Sequence, residues 1–168
     1  MKYVVTGGAG FIGSNIVKKL VSRGDSVTVI DDLNTGKEKN LESVRDKIVF
    51  IKDSILNFDL LDRKTEGIDG VFHQAALASV QDSFSKPEEY FDVNVNGTEN
   101  ILKLAKKNKF KIVYASSSSV YGNPERIPIK EIDAKNPINP YAETKLKKEE
   151  LATRYSEMGV EVIGLRYF

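Results

Sequence analysis

The chain has 168 residues, 25 basic and 24 acidic side chains and a net charge of +1, which suits a single domain and argues against a nucleic-acid partner. It has no cysteine and one histidine, His73, which excludes disulfides and thiolate chemistry and argues against a metal site. No apolar run approaches the length of a membrane span and the N-terminus enters a strand directly, so we expect a cytoplasmic protein without a membrane or signal segment.

Short apolar strands alternate with helical patterns along the chain. This alternation predicts an α/β fold, a Rossmann-like doubly wound parallel sheet of strand order 3-2-1-4-5-6 with helices on both faces. The predicted strands cover residues 2–6, 26–30, 47–52, 69–73, 110–115 and 160–165. The predicted helices cover residues 11–23, 55–63, 87–108 and 141–157, and polar or irregular segments cover residues 31–39 and 116–139.

A glycine-rich turn joins the first predicted strand to the first predicted helix. Residues 7–13 read Gly-Gly-Ala-Gly-Phe-Ile-Gly. Gly10 would let a phosphate approach the backbone, and Gly13 would let the helix pack on the strand. The free N–H groups at the helix start would then face a negative charge, as in dinucleotide-binding proteins. An ordinary tight turn is the alternative.

Asp31 lies at the end of the second strand, where a carboxylate would accept hydrogen bonds from the adenosine ribose hydroxyls. Its charge would repel a 2′-phosphate, and residues 32–36 contain no arginine. The pattern therefore favours NAD over NADP. The alternative is that Asp31 caps a turn, which is a common role of aspartate.

Polar and small residues follow the third and fourth strands. Asp53 and Ser54 would reach the adenine edge, and the residues from Gln74 to Leu77 would let the cofactor cross the sheet. Such residues are also common in loops of any α/β protein. We interpret His73 as a hydrogen-bonded residue at a strand end rather than as a catalyst.

A serine-rich strand end precedes a tyrosine–lysine pair. Residues 116–119 are all serine, and Tyr141 and Lys145 are four residues apart on one predicted helix. A lysine ammonium beside the phenol, with a positively charged nicotinamide nearby, would favour the phenolate and make Tyr141 a base at neutral pH. A serine hydroxyl would share the proton and orient a substrate hydroxyl. The alternative is an ordinary amphipathic helix.

Several stretches carry a resemblance to a known family. They are Thr6–Ser14, the serine-rich segment running into Val120-Tyr121-Gly122, residues 93–98, Pro140–Lys145 and Leu165–Phe168. Together they resemble the extended short-chain dehydrogenase/reductases. Within these the chain is most similar to NAD-dependent nucleotide-sugar epimerases of the UDP-glucose 4-epimerase type, and the resemblance covers the whole chain in order.

The resemblance implies a catalytic set of Ser117, Tyr141 as base, and Lys145, which would also bind the nicotinamide ribose. It implies that Ser119 contacts the substrate along with Ser117 and Tyr141. Its implied NAD-binding positions are Gly7, Gly10, Phe11, Ile12, Gly13, Asp31, Asp32, Leu33, Asn34, Thr35, Gly36, Asp53, Ser54, Gln74, Ala75, Ala76, Leu77, Ala78, Asn94, Tyr141, Lys145 and Phe168.

The implied reaction is epimerisation at C4 of a UDP-hexose through a transient 4-keto sugar, with hydride passing to NAD and back. Ser118 and Ser119 stand where related 4,6-dehydratases carry an Asp-Glu pair, which argues against dehydration. Some epimerases have a lysine at the position of Ala78. This difference leaves the sugar open, including hexosamine and uronic acid substrates.

Family members continue past the Arg-Tyr-Phe motif into a sugar-nucleotide-binding region. We therefore expect residues 1–168 to be an NAD-binding domain without that region, with impaired turnover of UDP-sugars. Two alternatives stay open: another nucleotide-sugar enzyme of the superfamily, such as a decarboxylase or reductase, and an NAD-binding module without activity.

The helices that begin at Pro87 and Tyr141 pair across a two-fold axis in the family, which predicts a homodimer through a four-helix contact. The apolar surface expected to form it comes from Tyr90, Phe91, Ile101, Leu102, Leu104, Leu146 and Leu151.

Overall fold

A computed structural model describes residues 1–168 and contains one parallel sheet of six strands. The strands are β1 (Lys2–Thr6), β2 (Ser26–Asp31), β3 (Ile48–Lys52), β4 (Gly70–His73), β5 (Lys111–Ser117) and β6 (Val162–Tyr167). Their order in the sheet is β3-β2-β1-β4-β5-β6, and every neighbouring pair is parallel. The predicted fold class and strand order are confirmed.

Six α-helices connect the strands. They are α1 (Phe11–Ser22), α2 (Phe58–Lys64), α3 (Val80–Ser85), α4 (Pro87–Phe91), α5 (Gly97–Asn108) and α6 (Pro140–Glu157). Short 3₁₀ segments span Glu38–Lys47 and Ser118–Tyr121, and a π-helical segment spans Asp92–Asn96. None of the helices is both long enough and apolar enough to cross a membrane.

Local signals in the sequence explain where α1 and α6 start and stop. Gly24, just after α1, has φ +82°, a backbone conformation that glycine adopts without steric cost. At the start of α6 the Asn139 side chain accepts a hydrogen bond of 2.8 Å from the Ala142 N–H. Pro140 occupies the first turn, where its missing N–H costs nothing.

Apolar clusters cover both faces of the sheet, as continuous apolar strands predict. Neighbouring residues of β1 point to opposite faces, so Val4 packs in one cluster and Val5 in the other. The larger cluster packs α5 and α6 on the sheet. The smaller one packs α1 together with Leu41 and Val44 of the 3₁₀ segment.

The long helix predicted over residues 87–108 is interrupted. The π-helical segment Asp92–Asn96 separates α4 from α5, and the extra helix α3 precedes them. In the π segment Asn94 is fully buried, and its side chain bonds to Leu77 and Thr144. These partners lie far away in the sequence, so helical periodicity alone does not reveal the interruption.

The surface assigned to the dimer contact is wrong for most of its residues. Five of these side chains are buried inside the chain: Tyr90, Ile101, Leu102, Leu104 and Leu151. The last four belong to the larger apolar cluster on the sheet, whereas the Tyr90 hydroxyl donates to the Ser79 carbonyl at 2.6 Å. Phe91 is 45 % exposed, and Leu146 is partly buried. The sheet itself, rather than a partner chain, covers the apolar face of α5. The homodimer remains a prediction.

Candidate active site

A cleft of about 450 Å³ opens at the carboxyl ends of the strands. Its walls come from the turn between β1 and α1, the ends of β2, β3, β4 and β5, and the start of α6. Doubly wound sheets bind ligands at this edge, beside the strand where the order reverses. The cleft therefore lies where the sequence predicted a cofactor.

The glycine-rich turn forms one end of the cleft. A side chain at Gly13 would collide with the carbonyl oxygen of Gly7, so the close packing of α1 on β1 requires glycine there. At Gly10 an added Cβ would meet only that same oxygen, at 3.3 Å, and Gly10 lines the cleft. No side chain caps the start of α1 and no acidic residue lies in its first turn. Its free N–H groups are therefore available to an anion.

The Asp31 carboxylate lines the cleft and also caps the turn that follows β2. Its Oδ2 accepts the Ala9 N–H at 2.8 Å, and its Oδ1 accepts the Leu33 N–H at 2.9 Å. The turn-capping role considered from the sequence is therefore present, and the ribose-binding role stays a prediction. The neighbouring predicted residues that also line the cleft are Asp32, Asn34, Thr35 and Gly36.

Leu33 and Ser54 do not line the cleft, although the sequence assigned both to the cofactor. Leu33 has a left-handed backbone, with φ +62°, and packs against the apolar cluster beneath α1. The Ser54 hydroxyl accepts the Leu56 N–H at 3.2 Å, while Asp53 beside it does line the cleft.

The loop after β4 forms the middle of the cleft wall. All five predicted residues of this loop line it, namely Gln74, Ala75, Ala76, Leu77 and Ala78. The Gln74 Oε1 accepts a hydrogen bond of 3.2 Å from the Tyr167 hydroxyl, whereas its Nε2 is buried without a partner. An unpartnered buried amide in a cleft wall suits a ligand that supplies an acceptor.

His73 has a structural role, as predicted. It is fully buried, with Nδ1 2.7 Å from the Thr6 hydroxyl and Nε2 3.0 Å from the Thr98 hydroxyl. Burial lowers the pKa of His73, and the nearby Lys148 and Lys145 lower it further. The imidazole is therefore neutral and links β1, β4 and α5.

Asn94 acts behind the cleft wall rather than on it. Its Oδ1 accepts the Leu77 N–H at 2.8 Å, and its Nδ2 donates to the Leu77 carbonyl at 3.0 Å. A further bond of 3.0 Å joins Nδ2 to the Thr144 hydroxyl on α6. The residue is fully buried and therefore holds the loop that lines the cleft from behind.

Ser117, Tyr141 and Lys145 line the cleft together. Lys145 is 3 % exposed; its Nζ donates to the Ala115 carbonyl at 3.2 Å and lies 5.5 Å from the centroid of the Tyr141 ring. Burial lowers the pKa of Lys145 to about 8. The helix thus brings Tyr141 and Lys145 onto one face, as their spacing predicted.

The expected lowering of the tyrosine pKa is not produced by the protein groups alone. Burial raises the pKa of Tyr141 above its ordinary value, and the Ser117 hydroxyl acts more weakly in the opposite direction. Burial removes water from a phenolate, and this desolvation outweighs the help of the serine. Desolvation of a buried phenol depends on the folded packing, which the spacing of Tyr141 and Lys145 does not reveal.

Two further residues with predicted roles do not line the cleft, Ser119 and Phe168. The Ser119 hydroxyl donates to the Ser117 hydroxyl at 2.9 Å, so it contacts a residue of the cleft wall without lining the cleft itself. Phe168 is 86 % exposed and stacks on Tyr121 with ring centroids 6.5 Å apart.

Several residues of the cleft wall are not predicted from the sequence, namely Ile30, Ile55, Val93, Ala115, Ser116 and Tyr167. The apolar ones carry no signal, because an apolar residue in a strand or helix is read as core. Ser116 and Tyr167 stand inside motifs that were recognised, so their positions offered a signal that was not used.

A doubly wound sheet with this turn and cleft defines a dinucleotide-binding protein of the Rossmann class. Residues 3–168 match the NAD dependent epimerase/dehydratase family. The chain belongs to that family, and the expected cofactor, NAD, is confirmed as the family's cofactor.

One curated relative is the UDP-glucose 4-epimerase of Lacticaseibacillus casei, 38% identical over 175 residues, covering 100% of this chain and 51% of the relative. A similar solved structure is the UDP-N-acetylglucosamine 4-epimerase from Methanobrevibacter ruminantium, with a TM-score of 0.95 and 38% identity over 99% of this chain and 54% of that one. Another is the UDP-glucose 4-epimerase from Brucella ovis in complex with NAD, with a TM-score of 0.92 and 36% identity over 99% and 51%. The chain thus spans about half the length of the proteins it matches.

Proposed function

We propose that this chain is the NAD-binding part of a nucleotide-sugar epimerase that inverts C4 of a UDP-hexose through a transient 4-keto sugar. The observation that carries the proposal is that Ser117, Tyr141 and Lys145 line the same cleft as the glycine-rich turn. A proton-transfer set and a dinucleotide site in one cleft suit oxidation and reduction of a sugar hydroxyl.

The cleft residues fit NAD. The pyrophosphate would lie at the start of α1, where Gly10 leaves space and the helix N–H groups are free. Asp31 would accept the adenosine ribose hydroxyls, and Asp53 would lie toward the adenine. The unpartnered Nε2 of Gln74 would donate to the cofactor on the nicotinamide side of the sheet. Asn94 would act indirectly, by fixing Leu77.

When bound, NAD supplies the acceptor and donor of hydride for the sugar. Tyr141 would take the proton from the C4 hydroxyl at its phenol oxygen and return it later. Ser117 would bridge that phenol and the C4 oxygen. Lys145, held in place by the Ala115 carbonyl, would bind the nicotinamide ribose and place a positive charge beside the Tyr141 ring.

Residues 1–168 form the NAD-binding domain in this proposal. The matched relatives are about twice as long. We therefore propose that the uridine diphosphate group is bound by residues in the part of these proteins that this chain does not span. Remote binding energy holds reacting groups in place and supplies part of catalysis. We therefore expect residues 1–168 alone to bind NAD and to turn over UDP-sugars negligibly.

The test supplies the complete gene product with NAD and, separately, UDP-glucose, UDP-N-acetylglucosamine and UDP-glucuronate, and separates the products by chromatography. Interconversion of UDP-glucose and UDP-galactose supports the proposal. Loss of carbon dioxide, or no conversion of any sugar despite NAD binding, contradicts it.

A second candidate is an epimerase of UDP-N-acetylhexosamines. It is supported by Ala78, where a small side chain replaces lysine, and by the similarity to the Methanobrevibacter ruminantium protein. The same product analysis separates the two, because a hexosamine epimerase would convert UDP-N-acetylglucosamine faster than UDP-glucose.

A further inference from the structure

A partly buried ion pair joins α6 to the end of β6 beside the cleft. The Arg166 Nε donates to Oε1 of Glu149 and its Nη2 donates to Oε2, both at 2.8 Å. The two side chains are 18 % and 9 % exposed. A two-pronged pair of this kind fixes both position and orientation.

Glu149 also holds the end of β5. The Ser116 hydroxyl donates to its Oε1 at 2.6 Å, and Lys135 lies 3.0 Å from its Oε2. Burial by itself would raise the pKa of Glu149, but the hydrogen bonds from Arg166, Ser116 and Lys135 outweigh burial and lower the pKa to about 2. The carboxylate is therefore charged at neutral pH and anchors the residue directly before Ser117.

Arg166 holds the chain on the other side of Ser117. Its guanidinium lies 4.8 Å from the centroid of the Tyr121 ring and hydrogen-bonds the Tyr121 hydroxyl. Tyr121 ends the 3₁₀ segment, and the Ser117 hydroxyl accepts the Ser119 N–H at 3.1 Å at its start. Arg166 also donates to the Glu131 carbonyl at 2.8 Å, which fastens the loop before α6.

We propose that the Glu149–Arg166 pair positions Ser117 against Tyr141. One partner fixes Ser116 and the other fixes Tyr121, so the short segment that carries Ser117 is held at both ends. Neither charged residue lines the cleft, so both act as positioning residues. The inference rests on the proposed function, because it assigns Ser117 to the reaction.

The ion pair suits this task better than an apolar contact would. An apolar contact is non-directional, whereas a charged carboxylate with several donors defines the position of each donor. A displacement of about 1 Å in an active site can lower the rate by 10²-fold. The Glu149–Arg166 pair therefore affects the turnover rate by fixing the position of the Ser117 hydroxyl.

The test compares Glu149→Gln with Glu150→Gln in the complete gene product saturated with NAD. Glu150 is the next residue on α6, and its exposed pair with Lys147 faces solvent. In Glu149→Gln one acceptor oxygen becomes an amide donor that faces other donors. We expect kcat to fall by about tenfold to 100-fold with little change in the KM for the sugar or in the Kd for NAD. Glu150→Gln should behave as the parent.

A second readout is the pKa of Tyr141, obtained by NMR of ¹³C-labelled tyrosine with Tyr141→Phe for assignment. The Ser117 hydroxyl lowers the pKa of Tyr141, so displacement of Ser117 should raise it further. Removing a negative charge would by itself lower the pKa of a phenol, so an upward shift reports position rather than charge.

Ser116→Ala is the milder variant, for use if Glu149→Gln does not fold. It removes only the hydroxyl that donates to Glu149 and should lower kcat and raise the pKa of Tyr141 in the same directions, by less. A folded Glu149→Gln or Ser116→Ala protein with parental kcat and an unshifted Tyr141 overturns the inference. If the parent is inactive on every UDP-sugar, the proposed function fails, while the tyrosine pKa still decides the positioning.

Discussion

At the scale of single residues, the cleft combines side chains that face a ligand with side chains that hold them. Tyr141 and Lys145 line the cleft, whereas Asn94 and Ser119 lie one hydrogen bond behind it. Asp31 does both, because its carboxylate caps the turn after β2 while lining the cleft. Substitutions at the two kinds of position should therefore differ in what they change.

Tyr141→Phe should abolish turnover and leave NAD binding nearly intact. The change removes the proposed proton acceptor and keeps the ring, and general acid–base catalysis contributes about 10²–10⁴-fold to a rate. Tyr155→Phe is the matched control, since Tyr155 lies on the same helix in the apolar core. Turnover is measured on the complete gene product, and NAD affinity by titration calorimetry. An active Tyr141→Phe protein would show that the base is another group.

Residues 1–168 should bind NAD more tightly than NADP by at least about tenfold, or about 1.4 kcal/mol. The Asp31 carboxylate would accept hydrogen bonds from the ribose hydroxyls, and its charge would repel a 2′-phosphate. Calorimetric titration of both cofactors measures the difference. Asp31→Asn should reduce the difference in affinity between NAD and NADP, since the amide has no charge to repel the 2′-phosphate. Equal or tighter binding of NADP by the parent would show that Asp31 does not bind the adenosine ribose.

At the scale of elements, α6 presents Tyr141 and Lys145 to the cleft on one face. The same face buries Lys148, which lowers the stability of the fold. Tyr141, Lys145 and Lys148 recur at spacings of four and three, so all three point toward the sheet. Lys148 is fully buried, its Nζ has no hydrogen-bond partner, and it lies 5.6 Å from the centroid of the Tyr114 ring. Burial lowers the pKa of Lys148, and Lys145 lowers it further.

Lys148→Met should therefore stabilise the fold by about 1–3 kcal/mol, the cost of a buried polar group without a partner. Methionine keeps the length of the side chain and needs no hydrogen bond. In the parent, unfolding lets Lys148 take up a proton at pH values between its lowered pKa in the folded chain and its ordinary pKa of 10.5, so the parent gains stability as pH rises across that range. The stability advantage of Lys148→Met over the parent should therefore decrease as the pH rises across this range.

Thermal unfolding at a series of pH values measures this effect. Lys147→Met is the matched control, because Lys147 is an exposed neighbour paired with Glu150, and surface changes stay within about 0.5 kcal/mol. A Lys148→Met protein that is less stable than the parent at neutral pH would mean that the amine is paired in solution.

At the scale of the whole molecule, six parallel strands bring segments from all parts of the chain to one edge of the sheet. The glycine-rich turn and the end of β6 are far apart in sequence, yet Gly10 and Tyr167 line the same cleft. Lys145, which lines the cleft, and Lys148, which packs on Tyr114 of β5, both come from α6.

The chain should form a homodimer through the exposed parts of α4 and α6. Most of the apolar residues of these helices are used inside the chain, so the contact depends on the few that remain, with Phe91 foremost. Sedimentation at micromolar concentration should give the mass of two chains, and Phe91→Glu should shift it toward one, because a buried unpaired charge is costly. A single-chain mass for the parent would contradict the prediction.

The sequence by itself determined those features of the protein that depend on residues close together in the chain. Alternation of strands and helices predicted the sheet and its order, and the glycine spacing predicted the turn at one end of the cleft. The spacing of Tyr141 and Lys145 predicted their common face, because positions four apart on a helix are neighbours. Family membership followed from the same motifs.

What only the tertiary structure decided depends on contacts between segments distant in the chain. The π-helical segment forms around Asn94 because Leu77 and Thr144 lie there to bond it. The apolar residues of α5 face the sheet rather than a partner, since burial depends on what lies opposite and not on the helical pattern. The pKa of Tyr141 rises because the folded chain excludes water from the phenol, and desolvation is a property of the whole packing.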